Sequence, residues 1–357
     1  MFSFGRKKTG LLGVDISSTT IKLIELSQTG GTSSPLFHVV TYAVEPLPAN
    51  AMVEKKITDV DVVGQAIRKA VVQSGTKANH AAVAVPDLAV ITKVISMASN
   101  LSSAAMETQI QLEADQYIPY PLEEVNIDFD VLGPSPSDPG MVDVLIAASR
   151  RENVNDRVTA LEIGGLTAAV VDVEAYAMES ACALVLRARG EDDRDQTVAI
   201  ADVGAATTNL HILHEGRSVY TRKQNFGGRQ LIDEIQHRYA LPRDQAMQKL
   251  LDGTLPETYE TDLLVPFKEM LAQQIGRALQ FFYSASTFNR VDQIILAGGS
   301  AGIRKIEELV EERLGIQTVV ANPFTHMSLA PHIKAQEINR DAPSLMIAVG
   351  LALRGFD

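Results

Sequence analysis

Two short segments of the chain gather groups that could hold a phosphate. In Asp15-Ile16-Ser17-Ser18-Thr19-Thr20-Ile21-Lys22, four hydroxyls and a run of backbone N–H groups share one turn, with an aspartate before it and a lysine after it. Turn amides can cradle phosphate oxygens, Lys22 adds a point charge, and Asp15 can face a metal ion. The segment Asp202-Val203-Gly204-Ala205-Ala206-Thr207-Thr208 repeats this chemistry. Two aspartate-ended turns on opposed domains could clamp a Mg²⁺–phosphate group from both sides. Taken alone, each is also an ordinary hairpin, the first with an exposed lysine. Two glycine pairs, Gly227-Gly228 after Phe226 and Gly298-Gly299-Ser300 after the apolar run Ile294 to Ala297, each open a helix. Glycine lets a ligand approach the backbone closely and a helix N-terminus favours anions, but a tight strand-to-helix turn asks for glycine too.

The surrounding pattern says what must position these groups. Leu11 to Val14 and Ile21 to Leu26 read as strands flanking the first turn, and Phe37 to Val44 as a third. After the loop Pro46-Leu47-Pro48, Thr58 or Asp59 caps a helix with Val60, Val63, Ile67 and Val71 at helical spacing. Ala81 to Val85 is a short buried strand stopped by Pro86. A self-contained unit follows: strand Val90 to Met97, a helix from Ser103 to about Tyr117, strands Val125 to Val131 and Val142 to Ala148 around the Pro/Ser/Gly loop Gly133 to Gly140, and a helix from Glu152 to about Ile163. It interrupts an otherwise alternating α/β chain and reads as an insertion. Leu166 to Val173 is a strand and Glu174 to Arg187 a helix; the charged stretch Arg189 to Asp195 marks the main boundary. Then the opening plan recurs, with strands Thr197 to Val203, Leu210 to Leu213 and Val219 to Arg222. Two halves on one plan predict duplicated domains facing a cleft.

Composition narrows the classes. The 357 residues exceed the usual single domain, and 46% hydrophobic with 21% charged residues describes a folded globule. A net charge of −12 argues against nucleic-acid binding, because an acidic surface repels phosphate backbones. Cys182 is the single cysteine and sits in an apolar helical run, which suits a buried thiol and a reducing compartment. No signal peptide and no apolar run near the roughly 18 residues of a membrane span are expected. The tail Met1 to Lys8 carries three positive charges and reads as a loose end rather than an anchor.

In this order, the motifs resemble the actin, sugar kinase and heat-shock chaperone ATPase superfamily. Within it the chain is similar to FtsA and more so to the PilM family. The segments that carry the likeness are Leu12 to Leu26, Tyr42-Ala43-Val44-Glu45-Pro46-Leu47-Pro48, Asp172-Val173-Glu174-Ala175-Tyr176-Ala177 and the closing Ala348 to Arg354. The resemblance spans essentially the whole chain. It implies two actin-like domains facing a nucleotide cleft, with an FtsA-like α/β insertion in the first. The expected division is 9–89 with 164–190 and 340–357 for the first domain, 90–163 for a partner-binding insertion and 196–339 for the second domain. The implied ligand is ATP with Mg²⁺. The implied role is a cytoplasmic scaffold of type IV pilus assembly and twitching motility, held at the inner membrane by the N-terminal tail of a PilN-like protein.

Carried over residue by residue, Asp15 and Asp202 match the two aspartates that hold Mg²⁺ through water. Ser18 and Lys22, flanked by Ser17 and Thr19, match the groups on the β- and γ-phosphates. Gly204 belongs to the second phosphate turn, Gly227 and Gly228 lie beneath the ribose side, and Gly298, Gly299 and Ser300 match the adenosine turn. Glu174, opening its helix, matches the side chain that positions the attacking water, although a first-turn acid also suits the helix dipole. Ala205 and Ala206 stand where related turns carry further glycines. Their Cβ atoms restrict the backbone, so at most slow hydrolysis is expected. FtsA-like proteins end in an amphipathic membrane-targeting helix, whereas here the last apolar segment reads as core. An FtsA-like filament and a small-molecule kinase remain as alternatives, the kinase lacking a recognisable base for a substrate hydroxyl.

Overall fold

The computed structural model describes residues 8–29, 35–136, 138–190 and 195–356. The tail 1–7 and the centre of the charged boundary, 191–194, lie outside them. The chain opens with an antiparallel meander, β1 (Lys8–Ile16), β2 (Thr20–Thr29) and β3 (Leu36–Pro46). A two-stranded hairpin, β4 (Met52–Val53) and β5 (Lys56–Ile57), precedes helix α1 (Val60–Ser74). Asp59 rather than Thr58 is the cap of α1, its carboxylate accepting from the Val62 N–H at 3.0 Å. Val63, Ala66, Ile67 and Ala70 bury one face of that helix.

β6 (His80–Val85) lies parallel to β1. The chain then builds β7 (Val90–Ala98), α2 (Ser103–Glu113), β8 (Val125–Ser135) and β9 (Asp138–Arg150), followed by α3 (Arg151–Ile163), β10 (Thr167–Val173) and α4 (Glu174–Ala188). The second half comprises β11 (Thr197–Val203), β12 (Thr208–His214), β13 (Arg217–Gln224), α5 (Gly228–Tyr239), α6 (Arg243–Leu251), α7 (Val265–Ala285), β14 (Gln293–Ala297), α8 (Ile306–Leu314) and β15 (Gln317–Val320). β16 (Ser328–Leu329), α9 (Ala335–Asp341) and α10 (Met346–Leu353) return to the first half.

The duplication is plain in the strand orders. One sheet runs β10-β6-β1-β2-β3-β16 and the other β15-β14-β11-β12-β13. In each, an antiparallel meander is continued on the side of its first strand by two parallel crossover strands. Helices α4 and α10 share a core with both sheets: Ile24 and Leu26 of β2, Val198 and Ile200 of β11 and Ile295 of β14 pack with Ala177, Met178, Cys182 and the whole of α10. The apolar C-terminal segment is therefore interior, and Cys182 is fully buried. Close packing there depends on glycine, because a Cβ on Gly350 would stand 1.8 Å from the Ala177 carbonyl oxygen.

The insertion differs from its sequence reading in one respect. Residues 133–136 and 138–140 are not an open loop: β8 and β9 run on toward each other as a hairpin, with Pro134 opposite Val142 and Ser135 opposite Asp138. Proline is tolerated because β8 is an outer strand of the sheet β7-β9-β8. Helix α3 packs on α1 of the first domain, with Gly64 against the side chain of Ile163 and Gly164 against Ile67.

Candidate functional site

The first turn is tight because Ser17 closes it twice. Its N–H and its hydroxyl both donate to the Thr20 carbonyl, at 3.0 and 2.8 Å. The Leu47 N–H donates to the Thr19 carbonyl at 2.8 Å, fixing the turn to the 46–48 loop. Asp15 and Lys22 face each other in the β1–β2 register, and the Lys22 ammonium donates to Asp15 Oδ2 at 2.7 Å. Lys22 is therefore not the exposed lysine of an ordinary hairpin: its side chain is 10% accessible and that of Asp15 4%. A lysine is buried only when paired, and the strand register supplies the partner.

The second turn is bolted to both glycine pairs. Gly228 and Arg229 N–H groups donate to the Gly204 and Ala205 carbonyls at 3.0 and 2.7 Å, and the Ser300 hydroxyl donates to the Gly204 carbonyl at 3.3 Å. A Cβ on Gly227 would stand 2.6 Å from the Gly204 oxygen, and one on Gly228 2.4 Å from Ser300 Oγ. Gly298 has φ +87°, and its Cβ would meet the Val203 oxygen at 2.5 Å and Asp202 Oδ1 at 2.6 Å. Gly227 and Gly298 are thus required by backbone packing on the second turn, whereas Gly228 faces the Ser300 side chain. Gly299 is different: nothing lies within 4 Å of its Cβ direction, so its surface is open.

Between the two turns is a cavity of about 880 Å³. Its wall includes Ser18 and Thr19 from the first turn, Ala206 and Thr207 from the second, Glu174 and Arg229. Asp15, Ser17, Lys22, Asp202, Gly204 and the glycine pairs are not part of that wall; they form the layer that positions it.

Sequence reasoning missed three residues of this site. Lys55, at the tip of the β4–β5 hairpin, lines the cavity and its ammonium donates to Glu174 Oε2. The turn Glu54-Lys55 has both residues left-handed, φ 48° and 67°, the geometry of a two-residue I′ hairpin without its usual Asn or Gly. Arg157, 2% exposed on α3, holds the tip from behind: its guanidinium donates to the carbonyls of Lys55 at 3.0 Å, Ala84 at 2.7 Å and Asn153 at 2.9 Å. Asp87 caps α4, accepting from the Ala175 N–H at 2.8 Å. The only hint in the sequence was the charged run Glu54-Lys55-Lys56, in a stretch assigned to no helix or strand.

The electrostatics centre on Glu174, which is buried at 5% exposure. Burial raises its carboxyl most, Lys55 lowers it, and Asp87 and Asp15 raise it, so that together they place it at about 7. For Lys55, burial lowers the ammonium's pKa, but Glu174, then Asp202 and Asp15, outweigh it and hold it above its ordinary value. Lys55 is therefore a side-chain cation set among three carboxylates.

Would Mg²⁺ and a nucleotide phosphate suit this set? Among the described residues, no group of three His, Cys, Asp or Glu side chains could hold a metal alone. A hard cation at Asp15 and Asp202 would complete its octahedron with waters and phosphate oxygens, the usual arrangement for Mg²⁺. Hydroxyls at Ser18, Thr19 and Thr207 and a cavity in the ordinary range for small-molecule sites fit the rest.

Comparison with known proteins agrees with this geometry. The family model described as type IV pilus assembly protein PilM matches residues 13–356. A solved structure described as a PilM-PilN type IV pilus biogenesis complex is 26% identical, with 98% of this chain and 99% of that chain covered and a TM-score of 0.78. The ethanolamine utilization protein EutJ from Carboxydothermus hydrogenoformans is 16% identical, with coverage of 96% and 89% and a TM-score of 0.54. The latter is a likeness of fold alone.

Proposed function

The chain belongs to the type IV pilus assembly PilM family, and from that premise we propose that it is an ATP-binding scaffold that holds the N-terminal cytoplasmic tail of a PilN-like membrane protein. The observation that carries the partner is the end-to-end match to the PilM–PilN structure, with nearly all of both chains aligned. Among the described residues no helix is long and apolar enough to cross a membrane, so residence at the inner membrane comes through the partner. The domains are proposed as 9–89 with 164–190 and 340–357, 90–163, and 196–339.

Asp15 and Asp202, set behind the cavity wall, would hold Mg²⁺ through water, while Ser18 and Thr19 on the wall, with Lys22 behind them on Asp15, would meet the phosphates. The open Gly299, beside Gly298 and Ser300, gives the adenosine room. Bound Mg²⁺ offsets phosphate charge. Glu174 is the candidate to orient a water, yet in this structure its carboxylate is engaged by Lys55. The Cβ atoms of Ala205 and Ala206 favour holding the nucleotide over turning it over.

The three-stranded sheet of the insertion has two outer strands, β7 and β8, and an extended tail can bind along such an edge through alternate side chains. The test is a synthetic PilN-type tail titrated into the full chain and into a chain with 90–150 replaced by a short linker, leaving α3 on α1. The full chain binds the peptide; the shortened chain loses it while Mg·nucleotide binding persists. Unchanged peptide affinity in the shortened chain contradicts the placement, and no binding by the full chain contradicts the partner.

A further inference from the structure

The hairpin that carries Lys55 is built to hold one cation in the cleft. Its tip carbonyl is fixed by the buried Arg157, and Lys56 pairs with Glu152 of α3 at 2.7 Å. From the same tip, Glu54 lies 4.0 Å from Lys223 on β13, so the hairpin stands between the two halves. The flexible four-carbon stem of Lys55 can swing from this fixed backbone, and its side chain keeps 22% of its accessibility, on the cavity side with Ser18 and Thr207.

We propose that Lys55 is a ligand for the terminal phosphate of a bound nucleoside triphosphate, parked on Glu174 when no such phosphate is present. This rests on the nucleotide reading of the cleft. A terminal phosphate offers three strong acceptor oxygens and more charge than one carboxylate, so it outcompetes Glu174 for the ammonium. The exchange costs little at the carboxylate: burial already holds Glu174 near neutrality, so on losing Lys55 it takes up a proton. A diphosphate lacks the group that draws Lys55 across. The hairpin thereby distinguishes tri- from diphosphate and releases Glu174 only in the triphosphate state.

Titration calorimetry of the full chain with Mg·AMPPNP and Mg·ADP tests this. Wild type binds the triphosphate analogue about tenfold or more tightly than the diphosphate, the scale of one charge-assisted hydrogen bond. Lys55→Gln abolishes that preference by weakening the triphosphate, with little change for ADP. Because Lys55→Gln leaves Glu174 buried without its cation, the double variant Lys55→Gln/Glu174→Gln is measured alongside and gives the same loss of preference. Titrations in buffers of different ionisation enthalpy show more proton uptake on AMPPNP binding by wild type than by Glu174→Gln. A wild type with no triphosphate preference, or a double variant that keeps it within twofold, overturns the role of Lys55 alone. A wild type that binds neither nucleotide overturns the nucleotide reading and this inference with it.

Discussion

Asp15→Ala is expected to destabilise the empty protein before any nucleotide is considered. The Asp15–Lys22 pair is made at 2.7 Å with both side chains nearly out of water, and it ties β1 to β2 at the mouth of the first turn. Removing one partner of a buried pair costs about 3–5 kcal/mol, mostly from the charge left behind. Lys22 retains a tenth of its accessibility, so the lower end applies, about 3 kcal/mol. Lys22→Met keeps the aliphatic stem but orphans Asp15, and costs about the same. The double variant Asp15→Ala/Lys22→Met orphans nothing and is no worse than either single, giving a coupling of about 3 kcal/mol. The chain has no tryptophan, so urea unfolding is followed by far-UV circular dichroism without nucleotide. Single variants within about 1 kcal/mol of wild type, or strictly additive effects, would refute the reasoning. A fall in nucleotide affinity in Asp15→Ala alone then mixes site and fold.

Two further outcomes follow from the site. Gly298→Ala loses about 2 kcal/mol or more, because φ is +87° and its Cβ meets the Val203 carbonyl; Gly299→Ala melts within a degree or two of wild type while weakening adenosine binding. Equal melting of the two variants contradicts the packing assignment. Glu174 holds a proton in the folded state up to about pH 7 that the unfolded chain releases near its ordinary 4.5. The unfolded state therefore binds fewer protons in that window, and stability falls as pH rises through it, by about 3 kcal/mol at about 1.4 kcal/mol per pH unit. Glu174→Gln removes this slope; a stability–pH profile parallel to wild type between pH 4.5 and 7 counts against it.

Much of the fold was legible because it is written in local patterns. Both Asp-ended turns sit between apolar strands, and their repetition predicted the duplicated plan that the two sheets display. The Asp59 cap and the apolar spacing of α1 were equally readable. What was not legible depends on distant partners. The burial of Lys22 was one such feature, since only the β1–β2 register reveals the carboxylate that pairs with it. The β4–β5 hairpin has two-residue strands and a left-handed turn of Glu and Lys, so neither period nor turn chemistry announces it. Arg157 lies on a polar-looking helix, yet its guanidinium serves carbonyls 73 and 102 residues away in sequence. The Pro/Ser/Gly composition of 133–140 read as loop because composition alone cannot separate a loop from an outer-strand hairpin. Glycines 227, 228 and 298 were marked by type, but whether ligand or backbone demands them is decided only by what their missing Cβ atoms would touch.

The most direct test is calorimetry of Mg·AMPPNP binding to the full chain and to Asp202→Ala, with melting curves for both. Asp202 is half-buried and ends β11 opposite Asn209, so its truncation spares the buried Asp15–Lys22 pair. An ATP-binding scaffold predicts one Mg²⁺-dependent site per chain in the wild type. In Asp202→Ala it predicts affinity weakened about tenfold or more, with melting near the wild-type value. A wild type without Mg²⁺-dependent binding, or an Asp202→Ala protein that binds as tightly as wild type, would contradict the account.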